Sequence, residues 1–454
     1  MKEEIMEQIA SQRSFFKSHQ TKDIPFRIDQ LNLLKKAILA REKVITEALW
    51  QDLHKSYEEA YLTEISLVIQ EIDYHIKNLK KWAEPKRVNT PIYLWPSHSK
   101  LKAEPLGLAL IISPWNYPFQ LTMSPLVGAI SAGCAVVLKP SPDAPKTAAI
   151  MAELIANTFA ANYISLFEGG IEINQMLLQQ RFDIIFFTGS TQVGKIVSKA
   201  AAEFLTPVVL ELGGKSPCIV DKDANIALAA KRIIWGKTLN AGQTCIAPDY
   251  VYVHHSVKEA LIAEIKSALQ IMFGSDIKNS AYYPRIIHPK AFNRLHLLMQ
   301  NGDIRMGGET SESEKFIAPT LLDNIKTSDA IMQEEIFGPL LPLLTFEHIH
   351  EPIDHINTGE KPLALYYFGS NQTAEEILHK TSSGGACIND TIMHVSNHHL
   401  PFGGVGFSGQ GSYHGKRSFE TFSHFKAIVY TPTFIDLPFK YAPFSYFKFI
   451  KKLI

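Results

Sequence analysis

The sequence predicts an α/β protein with two stacked parallel-sheet units, and three observations carry that expectation. Short, continuously apolar runs read as strands buried on both faces. The stretches between them carry apolar residues at three- and four-residue spacing, the period of a helix face. The two patterns alternate over most of the chain, as β–α–β crossovers require. A length of 454 residues allows about three ordinary domains, or two large ones with insertions.

The N-terminal eighty or so residues read as helices, most plainly over 28–53, IDQLNLLKKAILAREKVITEALWQDL, where charges alternate with a recurring apolar stripe. Prolines at 85, 91, 96 and 105 interrupt that period, so the segment reads as an extended arm or hairpin standing off the body. LALIIS, AVVLKP, DIIFFTG and PVVLELGG then supply the strands of the first unit. After Gly213 and Gly214 a second series follows: SPCIVD, a helix near 223–235, YVYVHH, a helix over 257–272, and GGACIND. The tail LPFKYAPFSYFKFIKKLI is aromatic and basic, and no internal repeat or low-complexity segment stands out.

Composition narrows the function. Lys plus Arg and Asp plus Glu are both 45, a zero balance that argues against a nucleic-acid binder. No apolar run approaches the roughly 18 residues of a membrane span, and the N-terminus lacks the apolar core of a secretory signal. The four cysteines are scattered and the 17 histidines lack ligand spacing, so neither a disulfide framework nor a metal site is expected. These features together point to a cytoplasmic enzyme or binding protein.

Four segments can carry chemistry. In DIIFFTGSTQVGKIV a strand enters a turn and then a helix, with Gly189, Ser190, Thr191, Gln192, Val193 and Gly194 at the junction, where first-turn N–H groups can receive a phosphate. The same letters fit half of an ATP-binding P-loop, but Ile196 stands where that motif needs Ser or Thr for magnesium. A ligand-free glycine turn is the plain alternative. Cys245 follows a Gly-Gln-Thr loop, where a thiol can be exposed and activated, whereas Cys134, Cys218 and Cys387 read as small core residues. Glu211 ends an apolar strand just before two glycines, so its carboxylate is either paired or kept for proton transfer. Asn116, between Pro114 and Pro118, is an amide held where it can donate to a developing oxyanion.

Together, PWNYP, LKPS, FTGSTQVGK, LELGGKSP, GQTC, QEEIFGP and PFGGVGFSG, in this order across most of the chain, resemble the NAD(P)-dependent aldehyde dehydrogenase superfamily. GQTCIAPDY, the ending PFGGVGFSGQGSYHGKRSFETFSH and the short N-terminus look most like its class 3 and fatty-aldehyde branch. The resemblance implies two Rossmann-type parallel-sheet domains and a small β oligomerisation arm. It divides the chain into a cofactor domain (1–85 and 104–211), a catalytic domain (212–415), an arm (86–103 and 416–440) and a tail (441–454). It makes Cys245 the nucleophile that forms a thiohemiacetal and then a thioester, Asn116 the oxyanion donor and Glu211 the base for hydrolysis. Lys139 would bond the adenosine ribose, residues 189–194 would meet the pyrophosphate, Glu335 would hold the nicotinamide ribose, and Phe337 would lie close to the nicotinamide.

One position departs from the pattern. Many members carry glutamate three residues after the lysine, where it bonds the ribose hydroxyls, and this chain has Pro142. Loss of that carboxylate admits NADP beside NAD, with NAD favoured because KPSPDAPK contains no arginine. The implied activity is oxidation of medium- or long-chain aliphatic, or aromatic, aldehydes to acids. Transfer of the acyl group to coenzyme A, or a non-catalytic protein on the same fold, are the alternatives, and retention of Glu211 and Cys245 counts against both. A homodimer is expected. The tail, with Phe444, Tyr446, Phe447 and Phe449, is too short to span a membrane and is expected to pack on its own subunit or a partner, with peripheral lipid contact the other reading.

Overall fold

In a computed structural model of the chain, which describes residues 2–452 apart from the side chains at 449 and 450, the strands sort into three main sheets. The first has six strands in the order Gly409–Gln410, Val208–Glu211, Ile184–Thr188, Leu108–Ile112, Ala135–Lys139 and Ile164–Leu166. All are parallel except Gly409–Gln410, which returns after the second unit and pairs antiparallel with Leu210 and Glu211. Leu108–Ile112, Ala135–Lys139 and Ile184–Thr188 are buried at every position, as continuous apolar runs require when helices cover both faces.

The second sheet has seven strands in the order Asp303–Met306, Thr320–Asp323, Leu340–Phe346, Tyr250–His254, Pro217–Val220, Ala364–Phe368 and Gly385–Ile388. Only the Asp303–Met306 edge is antiparallel. A third, antiparallel sheet joins Lys86–Val88 to His98–Pro105 and the latter to Ser423–Tyr430 over eight paired positions. This sheet carries the proline-rich segment, whose tip exposes Ile92 (85%), Tyr93 and Trp95. Among the described residues no helix is long and apolar enough to cross a membrane. The tail side chains from 441 to 448 are exposed, and the Phe449 side chain lies outside the described residues.

The N-terminal helices lie against the first unit. The apolar period over 28–53 belongs to two helices, Ile24–Ala40 and Glu42–Leu53, with a break at Arg41 (φ −115°). Thirty residues without a break would run about 45 Å and overshoot the sheet. The break lets both stripes bury: Leu31, Leu34 and Ile38 on one helix, Ile45, Leu49 and Leu53 on the next.

These helices also deliver a charge to the interior. Lys55 is fully buried, and its ammonium donates to Glu64 Oε1 at 2.6 Å and to the Asn116 carbonyl at 2.9 Å, and lies 3.9 Å from the centre of the Tyr117 ring. Glu64 Oε2 accepts from the backbone N–H groups of Phe119 and Gln120, capping the wholly buried helix Gln120–Ala132. Replacing Lys55 with Met should leave the Glu64 carboxylate buried and unpaired, at a cost of about 3–5 kcal/mol. Adding Glu64→Gln should return part of that loss. Urea unfolding of the two variants checks both statements, and a K55M protein as stable as the parent would contradict them.

Candidate active site

Four strands of the first sheet end along one edge, and each hands on a sequence-predicted residue. Leu108–Ile112 leads to Asn116, Ala135–Lys139 ends on Lys139, Ile184–Thr188 runs into Gly189, and Val208–Glu211 ends on Glu211. Ligands of parallel sheets gather at this carboxyl edge. Backbone bonds tie the ends together, from Ser113 N–H to the Lys139 carbonyl (3.2 Å) and from Gly189 N–H to the Glu211 carbonyl (3.0 Å). Lys139 and Glu211 stand three strand spacings apart, about 14 Å, so one bound molecule must be extended to meet both.

Helix Thr191–Ala202 starts at this edge. Ser190 caps it by accepting from Val193 N–H (3.4 Å), and Thr191 Oγ1 donates to the Phe407 carbonyl (3.0 Å). Gln192 and Val193 are exposed and Gly194 is buried. The remaining first-turn N–H groups have no intrahelical acceptor, the arrangement that receives a phosphate. Ile196 is 61% exposed on the same helix, an aliphatic side chain that offers a metal nothing.

Cys245 sits on a loop bent by three successive residues in the left-handed region: Asn240 (φ 51°), Ala241 (φ 52°) and Gly242 (φ 73°). Such conformations cost non-glycine residues about 1–2 kcal/mol each and persist only where neighbours impose them. Here Asn240 N–H donates to Glu59 Oε1 (2.8 Å), and Asn240 Nδ2 donates to the carbonyls of Asn116 (2.8 Å) and Gln243 (3.1 Å). The fully buried Gln243 donates to the carbonyls of Asn240 and Arg285 and accepts from Ile287 N–H, each at 3.0 Å. Thr244 Oγ1 bonds the Tyr117 hydroxyl at 2.7 Å, and Asn116 Nδ2 donates to the Gln243 carbonyl at 3.0 Å. The Asn116 turn and the Cys245 loop are therefore one hydrogen-bonded unit. The backbone N–H groups of Cys245 and Ile246 point at the sulfur.

Two carboxylates face that thiol. Glu211 is 3% exposed, and neither carboxylate oxygen has a hydrogen-bond partner among the described residues. Burial holds its pKa well above the ordinary carboxylate value. Glu335 lies against Gly213, where an added Cβ would sit 1.9 Å from its Oε2 and would displace the carboxylate. Burial first, and then Asp249, raise Glu335 to about 8. The Cys245 thiol is pushed up by burial, then by Glu335 and Glu211. Phe337 (φ 49°) meets Trp115 edge-on at 5.4 Å, which brings the 335–338 segment beside the Asn116 turn. A cleft of about 540 Å³, lined by Thr191, Gly213, Lys215, Glu335 and Phe407 among others, opens between the two units.

These residues fit an extended nucleotide cofactor. Lys139 is 1% exposed, and of its three N–H donors one is used, on the Pro140 carbonyl at 2.7 Å. Burial lowers it to about 8, with Asp143 and Glu168 acting in the opposite sense. A buried ammonium with donors to spare, a helix N-terminus and the cleft holding Glu335 follow one another along the edge. Among the described residues no group of three or more His, Cys, Asp or Glu could hold a metal ion.

Sequence reasoning missed the supports. Lys55, Glu59, Glu64 and Asn240 come from segments up to 185 positions apart and show no spacing signal. Lys215, paired with Asp249, also donates to the carbonyls of Ile331 and Glu334 and so fixes the segment that presents Glu335. Cys134 and Cys218 are fully buried as expected, but the Cys387 thiol is more than packing, since it lies 3.2 Å from His394 Nδ1. Gly242 combines a left-handed backbone (φ 73°) with a close neighbour, since an added Cβ would sit 2.3 Å from the Gly338 carbonyl. Gly242→Ala should therefore destabilise the protein by more than the roughly 1 kcal/mol of a simple left-handed penalty. It should also lower the rate of Cys245 alkylation, which thermal denaturation and iodoacetamide labelling measure.

Comparison with known proteins identifies the fold and the family. The sequence profile of the Aldehyde dehydrogenase family matches residues 1–428. The 4,4'-diaponeurosporen-aldehyde dehydrogenase of Staphylococcus aureus is 48% identical over 451 residues, covering 98% of each chain. The dimeric NADP-preferring aldehyde dehydrogenase of Canis lupus familiaris is 44% identical over 442 residues, covering 97% of this chain and 98% of its own. The substrate-bound structure of Staphylococcus aureus AldH superposes with a TM-score of 0.96 at 48% identity, over 99% of both chains. Enzymes of this kind oxidise aldehydes with NAD or NADP, and the chain belongs to the aldehyde dehydrogenase family.

Proposed function

We propose that the chain oxidises medium- or long-chain aliphatic, or aromatic, aldehydes to acids by covalent catalysis at Cys245, with water as the final acyl acceptor. The observation that carries this reading is Glu211, a buried carboxylate with both oxygens unpartnered among the described residues and near enough to the Cys245 thiol to raise its pKa. An unpaired buried carboxyl group costs free energy, and proton transfer at that spot accounts for it.

Glu211 takes the thiol proton, and the sulfur attacks the aldehyde carbon. The resulting oxyanion rests against the Cys245 N–H and the Asn116 side-chain amide, whose second hydrogen is free of the bond to Gln243. Bound NAD or NADP supplies the hydride acceptor. Lys139, the 189–194 turn and Glu335 hold and orient it, and Phe337 flanks it. Loss of hydride from the thiohemiacetal carbon leaves a thioester; Glu211, having released the thiol proton to solvent, removes a proton from water as that water attacks the thioester carbon, and the carbon–sulfur bond breaks to free the acid and return the Cys245 thiolate. A carboxylate held dry at that position supports hydrolysis over transfer to coenzyme A.

The apolar tip and the exposed tail support a homodimer in which the arm and the tail pack on a second copy. Four free thiols fit the cytoplasm.

Reduced-cofactor formation should follow addition of hexanal, decanal or benzaldehyde without coenzyme A, and Cys245→Ala should abolish it. Glu211→Gln should lower steady-state turnover by about 100-fold or more, and a burst of reduced cofactor in that variant would place the block at hydrolysis. Because burial raises both Cys245 and Glu211, their deprotonated forms gain as pH rises, so kcat/KM should climb as pH is raised above neutrality. A flat profile would contradict the assignment. NAD and NADP should both serve, with NAD favoured, and a 1000-fold preference for either would overturn dual use. Light scattering should give twice the chain mass.

A further inference from the structure

We infer that Glu168 is the residue by which this chain discriminates against a 2′-phosphate, standing in for the carboxylate absent at Pro142. The inference rests on Lys139 holding the adenosine ribose. Lys139 ends the strand Ala135–Lys139, and the neighbouring parallel strand Ile164–Leu166 stops beside it, with Leu138 paired to Leu166. Phe167 N–H donates to the Leu138 carbonyl at 2.9 Å, so the chain at Glu168 leaves the sheet one strand away from the Lys139 ammonium. This is the carboxyl edge where a Rossmann-type unit meets the ribose, and where an acidic side chain bonds the 2′-hydroxyl of NAD and repels the phosphate of NADP.

Pro142 removes that carboxylate from its usual place, and two others approach the same lysine: Asp143 and Glu168 both act on Lys139. Asp143 is engaged, since its carboxylate accepts from Ser141 Oγ at 3.4 Å and its N–H donates to the same oxygen at 3.2 Å. Glu168 is exposed and makes no hydrogen bond or ion pair to another described residue. It lies just before Gly169 (φ 130°) and Gly170, which turn the chain into helix Ile171–Leu178. The next carboxylate, Glu172, is folded back on the Gly170 backbone. A 2′-phosphate seated on Lys139 would therefore meet one buried ammonium and a free carboxylate, whereas a 2′-hydroxyl has Glu168 as an acceptor.

Dissociation constants of NAD and NADP, measured by titration calorimetry in the absence of aldehyde, test this with the parent, Glu168→Gln, Asp143→Asn and Lys139→Met. In E168Q the ratio of the NADP constant to the NAD constant should fall about tenfold, chiefly through tighter NADP binding. The shift should shrink in 1 M salt, where exposed charges are screened within about 3 Å. A fall of less than threefold, or an equal fall in D143N, overturns the role of Glu168. If E168Q does nothing while K139M weakens NAD, the ribose site at Lys139 stands and this inference alone fails. If K139M binds both cofactors as the parent does, the ribose site falls and the inference with it.

Discussion

The Lys55 ammonium is the point through which the rest of the site is held. It has no exposed surface, and one carboxylate, one carbonyl and one aromatic face surround it. A charge taken this far from water is tolerable only when its partners are near and well oriented. That requirement links three remote pieces of chain: the N-terminal helices that supply Lys55 and Glu64, the turn that supplies Asn116, and, through the Asn116 carbonyl and Asn240, the loop that carries Cys245. The left-handed conformations at 240–242 are paid for by this network.

Around that anchor the two units contribute opposite kinds of environment. The first sheet supplies a polar edge of strand ends and a helix N-terminus. The second presents Glu335 and Phe337 on a segment clamped by Lys215. Between them lies a thiol with two carboxyl groups nearby, and burial opposes the ionisation of all three. The return of Gly409–Gln410 to the edge of Val208–Glu211 closes the arrangement, because it fixes the strand end that aims Glu211.

Much of this was legible in the sequence. The strands LALII, AVVLK and IIFFT were readable because burial on both faces demands continuous apolar runs. The candidate site residues were readable for the opposite reason: Asn116, Glu211 and Cys245 are polar or reactive groups set among apolar and glycine-rich ones. Lys55, Glu64 and Asn240 were not, since each sits in an ordinary amphipathic or loop context and gains meaning only from a partner far away in the chain. The break at Arg41 was hidden because the apolar period continues across it.

By itself the sequence determined the alternation of strands and helices and the two parallel-sheet units, and it singled out the candidates Cys245, Glu211, Asn116 and Lys139, because each depends on local burial pattern or on motif letters in order. Only the tertiary structure decided that Glu211 has no partner, that Lys139 keeps unused donors, that Glu168 ends up one strand from it, and that the Cys245 loop hangs on a buried lysine. Those are properties of distance and desolvation between segments that are remote along the chain, and no local pattern of residues encodes them.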